Sequence, residues 1–259
     1  MQTEVTGLVL RSVNLGEADR LITVYTKEMG SVTAMVKGAR SLKNRNMSAT
    51  QQFCYSTLVL DSRSDRFWVR ESNLIESFFG LRNSIEGLAL AGYIVEVLSD
   101  VTTEEAEQEL LRLALNCLFA ISENKYPLEK IKSAFEIRAS SIIGFMPEVL
   151  ACRDCAQTKS DFFFDIMGGN LQCTACRRKA QLRHEDIVED DGKRSILTHL
   201  SEGAKIALGY LVHCPIERIF AFNISDADMQ LLSKATEEYL VNQLERSFKS
   251  LEFYKEVKR

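Results

Sequence analysis

Over the first eighty residues, apolar positions come in short runs, several with a period of two. Val5–Val13 is apolar and ends near a turn at Asn14-Leu-Gly16; Leu21–Thr26 follows, and Met29-Gly30 turns tightly into Ser31–Val36. There Val32, Ala34 and Val36 alternate with Ser31, Thr33 and Met35, the period of a half-buried strand. Phe53–Leu60 and Arg66–Glu71 predict two further strands across the polar turn at residues 61–65. Five strands with one long connection after the third suit a small barrel of the OB type, and the periodicity alone equally allows an SH3-like barrel.

From about Leu81 the period becomes helical. Leu81, Ile85, Leu88, Gly92, Val95 and Leu98 mark one face of a first helix, and Thr102-Thr-Glu-Glu105 has the arrangement of a capping box opening a second. That second helix contains Leu110, Leu111, Ala114, Leu118 and Phe119. Pro127 suits the first turn of a third helix with Leu128, Ile131, Phe135 and Ile142, and Gly144 suits its C-terminal cap. Further on, helices are expected at Leu200–Leu211 and from Ser225-Asp-Ala-Asp228. The last keeps Met229, Leu232, Ala235, Tyr239, Leu240, Leu244, Phe248 and Leu251 in phase for about six turns.

A cysteine-rich segment interrupts the helical pattern. Cys152-Arg-Asp-Cys155 and Cys173-Thr-Ala-Cys176 are separated by seventeen residues, among them Phe162-Phe-Phe-Phe164, Gly168-Gly-Asn170 and Leu171, which read as a hairpin. A two-residue gap turns both sulfurs of a pair toward one point, and four thiolates complete the tetrahedral shell that Zn²⁺ prefers. A closed sulfur shell leaves no position for water or substrate, so one structural zinc is expected and not a catalytic one. Dithiols in redox use or two disulfides are the alternative; disulfides need an oxidising compartment. The N-terminus lacks a basic stretch followed by an apolar run, and no apolar stretch reaches the roughly 18 residues of a membrane span, so a cytoplasmic, membrane-free protein is expected.

The expected fold class is therefore α+β multidomain. A barrel over 1–80 precedes a helical domain over 81–150 and 195–259, with a Cys₄ zinc module inserted over 151–194. The polar stretch Arg183–Arg194 closes that insert. At 259 residues, 46% apolar and 26% charged, the chain is long enough for such an arrangement.

The net charge of −4 argues against indiscriminate coating of nucleic acid, but residues 1–80 carry net +2 and the rest net −6. No Asp or Glu occurs between Glu28 and Asp61, and Lys37, Arg40, Lys43 and Arg45 sit in that gap, in the long connection after the third strand. A basic segment without carboxylates keeps the potential that a polyphosphate requires. Asn44, Asn46, Ser48, Gln51 and Gln52 offer further hydrogen bonds there, and Trp68 is the aromatic best placed to stack on a base. There is no G-x-G-x-x-G, Walker A, H-E-x-x-H or G-x-S-x-G motif. His184, His199 and His213 have no evident nucleophile partner, so no enzyme activity is expected.

Gly7-Leu-Val-Leu-Arg-Ser12, Gly16-Glu-Ala-Asp-Arg-Leu21, Thr26-Lys-Glu-Met-Gly30 and Val36-Lys-Gly-Ala-Arg40 together resemble the N-terminal barrel of the RecO family of bacterial DNA repair proteins. The resemblance continues through Phe135-Glu136 and Gly144-Phe145-Met-Pro147 to the cysteines. It implies an OB domain, a helical domain and a zinc module. It also implies a recombination mediator that binds single- and double-stranded DNA, anneals complementary strands, and works with RecR. Together they help RecA replace the single-stranded DNA-binding protein SSB. Lys37 and Arg40 inherit a DNA-facing role, with Lys43 and Arg45 beside them. A helical-domain groove is implied for the acidic C-terminal tail of SSB, with Lys130, Lys132 and Arg138 as its basic edge. The readings from other classes are a zinc-ribbon factor in transcription or RNA metabolism, and a hydrolase with an atypical metal site.

Overall fold

The computed structural model describes residues 2–41, 43–63, 66–103, 105–182 and 195–258. They form two compact units, Met1–Lys125 with Phe248–Arg259, and Tyr126–Ser247.

Unit one opens with strands β1 (Gln2–Leu15), β2 (Asp19–Thr26), β3 (Gly30–Val36), β4 (Tyr55–Arg63) and β5 (Arg66–Glu76). They close into a barrel in the order β1-β2-β3-β5-β4, the five-stranded OB arrangement, which settles the choice left open by periodicity. β1 pairs with β4 through its first half and with β2 through its second, so it must coil sharply. Gly7 sits where both pairings overlap; a Cβ there would lie 2.5 Å from the Tyr25 carbonyl oxygen, so only glycine fits. The alternation expected in β3 holds: Val32, Ala34 and Val36 join Val5, Val9, Ile22, Val24, Leu58 and Leu60 in the barrel core. Burying such side chains contributes roughly 1.5–3 kcal/mol each.

After a 3₁₀ turn at Phe79–Asn83 come α1 (Ile85–Val101) and α2 (Gln108–Ser122). The apolar face expected on α1 holds at Val95 and Leu98 and is displaced in the first turns. Ile85 and Leu88 are exposed, while Leu90, Tyr93, Ile94, Val97 and Leu98 are buried. The expected capping box does not open α2 either. Thr102 is the C-cap of α1, its hydroxyl donating to the Leu98 carbonyl, and Glu107 caps α2 by accepting from Glu109 N–H.

Unit two begins with α3 (Leu128–Ile142), then β6 (Glu148–Cys152), β7 (Phe162–Asp165), β8 (Asn170–Cys173) and α4 (Thr174–Leu182). It continues through β9 (Leu197–Leu200), α5 (Glu202–His213) and α6 (Asp226–Gln243). Strands β7 and β8 form the expected hairpin within a sheet ordered β6-β8-β7-β9. The stretch Arg183–Arg194, with His184, lies outside the described residues. The helix expected over Leu200–Leu211 is α5, and the short strand β9 just ahead of it falls inside the span expected to be helical, 195–259.

The expected six-turn terminal helix is two helices, α6 and α7 (Lys249–Val257), and α7 belongs to unit one. The break is a Schellman motif. Glu245 N–H bonds to Asn242 O and Arg246 N–H to Val241 O, with Glu245 at φ +50° where glycine usually stands. The same motif ends α3 with Gly144 at φ +103°, as expected.

Helix α3 packs against α5 and α6 and is buried around nearly its whole circumference, including its charges. Lys132 Nζ lies 3.0 Å from Glu136 Oε1 and 2.9 Å from Glu237 Oε2, and Thr236 donates to Glu136 at 2.8 Å. Burial raises the pKa of Glu136 despite Lys132 beside it. Removing one member strands the others in a low-dielectric interior, which costs about 3–5 kcal/mol. Lys132→Met is thus expected to lower the stability of unit two by that amount in urea denaturation, with Lys132→Met/Glu136→Gln recovering part of the loss. An unchanged midpoint for Lys132→Met would contradict a structural role for the network.

Candidate nucleic-acid interface and metal centre

Because β5 lies between β3 and β4, the chain must cross the end of the barrel from Val36 to Tyr55. That crossing is the basic segment. Lys37, Arg40, Lys43 and Arg45 are all exposed, and among the described residues none forms an ion pair. The backbone beneath them is fixed. Gly38, at φ +62°, gives its N–H to Asp19 Oδ1 at 2.8 Å; Arg40 N–H reaches Ala18 O, and Arg40 Nη1 reaches Gly16 O at 3.2 Å. Asn44 Nδ2 holds the Lys37 carbonyl at 2.7 Å, and its Oδ1 receives Asn46 N–H at 2.8 Å. Asn46 then reaches Arg70 O, and Gln52 reaches Leu10 O. Ala39, Ala49, Thr50 and Cys54 are buried, so both ends of the crossing belong to the barrel.

Two expectations change with this geometry. Asn44, Asn46 and Gln52 use side-chain donors to hold the loop and do not offer them to a ligand. Asp19 brings a carboxylate beside a segment that has none in sequence, and that carboxylate accepts from Gly38. The positioning roles of Asp19 and Asn44 carry no sequence signal beyond their turn-forming residue types. Among the aromatics, Tyr25 and Phe53 are buried, and Trp68 is half-buried beside the β3–β5 seam, opposite Met35 and Asp61.

The four cysteines converge at one end of the unit-two sheet. Cys152 ends β6, Cys155 follows in the turn, Cys173 ends β8 and Cys176 lies in the first turn of α4. Their Sγ atoms all lie within 4.8 Å of one another, with Cys155 and Cys173 at 3.7 Å. Burial works against a Cys152 thiolate, but amide N–H groups of Cys173, Asp154 and Cys155 outweigh it and bring its pKa down to about 7. Cys173 is pushed up by burial, and Cys176 by the thiol of Cys155 beside it. Four sulfurs this close cannot all ionise unless a cation lies between them, and they could hold one metal ion. Tetrahedral closure by four protein ligands leaves such an ion a structural role.

The remaining expected residues are placed otherwise. Lys130 donates to the Phe222 carbonyl, Lys132 is in the ion network, and Arg138 gives Nη1 to Val212 O at 2.8 Å and Nη2 to Cys214 O. All three are buried and face inward, so they cannot edge a surface groove. His199 meets Phe163 edge to face and lies 3.7 Å from Asp161. Sequence reasoning passed over Arg177, Arg178 and Lys179, a basic run on α4 directly after Cys176. That helix has no acidic residue and buries no side chain.

Comparison with known proteins places both sites within matched regions. Residues 1–78 match the family description "Recombination protein O N terminal", and residues 82–187 match "Recombination protein O C terminal". The chain is 34% identical over 259 residues to the DNA repair protein RecO of Acetivibrio thermocellus, covering 99% of this chain and 97% of that one. It is 29% identical over 260 residues to the DNA repair protein RecO of Alkaliphilus metalliredigens, covering 99% of this chain and 100% of that one.

Metal binding through the four thiolates is coupled to folding of the module. Elemental analysis of the purified chain is expected to find one metal ion per molecule, and Cys173→Ser is expected to lose it and to make residues 148–182 sensitive to protease. Metal-free protein with four titratable thiols and a protease-resistant module would contradict the site.

Proposed function

The chain belongs to the recombination protein O family of DNA repair proteins, and from that membership and the barrel geometry we propose that it is a recombination mediator that binds and anneals DNA without turning over a substrate. It holds single- and double-stranded DNA by phosphate contacts from Lys37, Arg40, Lys43 and Arg45. The observation that carries this reading is a basic loop tied by hydrogen bonds at Gly38, Arg40, Asn44 and Asn46 across the end of an OB barrel. Pre-ordering those side chains' backbone reduces the entropy that binding must overcome. Point charges on backbone phosphates recognise no sequence, as annealing of any complementary pair requires.

Two strands approaching one another repel through their phosphates, and a cationic surface lowers that barrier. Base pairing then supplies the free energy, so no nucleotide-hydrolysing motif is needed. Zn²⁺ is the ion that four thiolates at these spacings favour, and its role is to hold the module that carries α4.

RecR as partner, displacement of SSB and the indirect benefit to RecA follow from family membership. The acidic tail of SSB, which buried α3 cations cannot receive, is assigned instead to a groove of about 630 Å³ in unit two, with Met146 and Leu150 exposed along it to take the tail's apolar side chains and Glu148, His213 and the Asp165-paired Arg153 also lining it. Among the described residues no helix is long and apolar enough to cross a membrane. The alternative, a sequence-specific zinc-ribbon factor, would require base-edge contacts that the loop's lysines and arginines do not need.

The fourfold variant Lys37→Ala/Arg40→Ala/Lys43→Ala/Arg45→Ala is expected to weaken single-strand binding and to reduce the slope of log K against log salt by up to about 0.7 per lost contact. Unchanged affinity and slope in a folded variant would reject the loop. Annealing of complementary oligonucleotides by the wild-type chain is expected to proceed without ATP and to slow as salt rises. A strict ATP requirement would contradict the proposed mechanism.

A further inference from the structure

A polar cavity of about 370 Å³ lies in unit one, lined by Asn14 of β1, Arg20 of β2, Gln51 and Phe53 from the end of the crossing loop, and Arg82 from the 3₁₀ turn, among others. None of its lining residues is acidic, and two are arginines. The volume is at the small end for ligand sites, which run from about 300 to 1,000 Å³. We propose that this cavity is a subsite for one nucleotide of a bound DNA strand, its phosphate held by Arg20 and Arg82 and its base set against Phe53 and the Gln51 amide.

Three observations support the assignment. Arg20 Nη1 is shut away from solvent and has no hydrogen-bond partner among the described residues. A stranded guanidinium donor is costly, and a small rotation of the Arg20 guanidinium toward the cavity that it lines would give that donor an anion to bond. Phe53 has φ +72°, a left-handed backbone that is a genuine outlier for a bulky residue, and strain of this sort gathers at ligand sites. Its backbone is held there by its own N–H to Val9 O and by Val9 N–H to Cys54 O. Finally, the cavity continues the proposed phosphate track. Arg20 pairs with Val36 across β2 and β3, and Lys37 is the next residue. Arg40 holds the turn at Gly16, just ahead of Arg20. A strand lying on the basic loop therefore has the cavity within reach on the same unit.

This inference rests on the DNA-binding reading, and its test separates the two. Fluorescence anisotropy of a labelled single-stranded oligonucleotide would be followed across a salt series. The full chain would be compared with Arg82→Gln, Arg20→Gln and Gln51→Glu. Arg82 is exposed and Gln51 half-exposed, so those two variants keep the fold, which circular dichroism and melting temperature would check. Arg82→Gln is expected to weaken binding roughly tenfold and lower the salt slope by about 0.7. Gln51→Glu, which puts a carboxylate against the phosphate, is expected to weaken binding at least as much. Deoxyadenosine monophosphate and inorganic phosphate, titrated separately by thermal shift, are expected to bind only at millimolar concentration. Micromolar binding of either, lost in Arg82→Gln while oligonucleotide affinity is unchanged, would overturn the strand assignment in favour of a free-ligand site. Wild-type-like affinity and slope in all folded variants would overturn the cavity alone. Failure of the wild-type chain to bind DNA would overturn both.

Discussion

Closure of the barrel through the parallel pairing of β3 with β5 determines where the basic residues lie. Ala34 pairs with Phe67 and Met35 with Trp68, and with that seam made, β3 and β4 cannot be neighbours. The chain must then pass from Val36 to Tyr55 over the barrel's end, carrying backbone donors and acceptors that no strand can satisfy. Asp19 and Asn44 satisfy several of them, Asn46 and Gln52 tie the segment to carbonyls of β5 and β1, and Ala39 and Cys54 sink into the barrel core. The result is an ordered loop whose lysines and arginines have little left to do but face solvent. A topological requirement thus becomes an electrostatic surface. The cavity beside Arg20 arises from the same crossing, since Gln51 and Phe53 are where the loop returns to β1.

Unit two is held by different means. Its central helix, α3, carries Lys132, Glu136 and Arg138 inside, each matched by a carboxylate, hydroxyl or carbonyl from another helix or loop. Such a network adds little net stability over apolar packing but punishes misassembly heavily. The small four-stranded sheet has few apolar residues of its own: Val149, Phe162, Phe164, Leu171 and Leu200 are its buried hydrophobes. A metal ion across Cys152, Cys155, Cys173 and Cys176 would tie β6, β8 and α4 together where that small core ends.

Much of this was legible in the residues. The period of two in β3, the turn at Met29-Gly30 and the long third connection foretold the barrel, and the paired cysteines foretold the cluster. What escaped had physical reasons. Lys130, Lys132 and Arg138 look like a solvated face because charges at helical spacing usually are, and only their partners on distant elements reveal burial. The end of α6 was hidden because Glu245 takes the left-handed position that glycine would have announced, while Phe248 and Leu251 stay in phase by coincidence. β9 is four residues long, too short for its period to register. The anchoring of the basic loop depends on Asp19, Arg70 and Leu10, none of them its sequence neighbours.

The account turns on DNA meeting unit one at the crossing loop. Amide hydrogen exchange followed by mass spectrometry, with and without a saturating single-stranded oligonucleotide, reads this directly. Protection is predicted in peptides spanning residues 37–53 and in those containing Arg20 and Arg82, with α3 unchanged. Saturated binding that leaves 37–53 exchanging at its free rate, with protection confined to other segments, would contradict it.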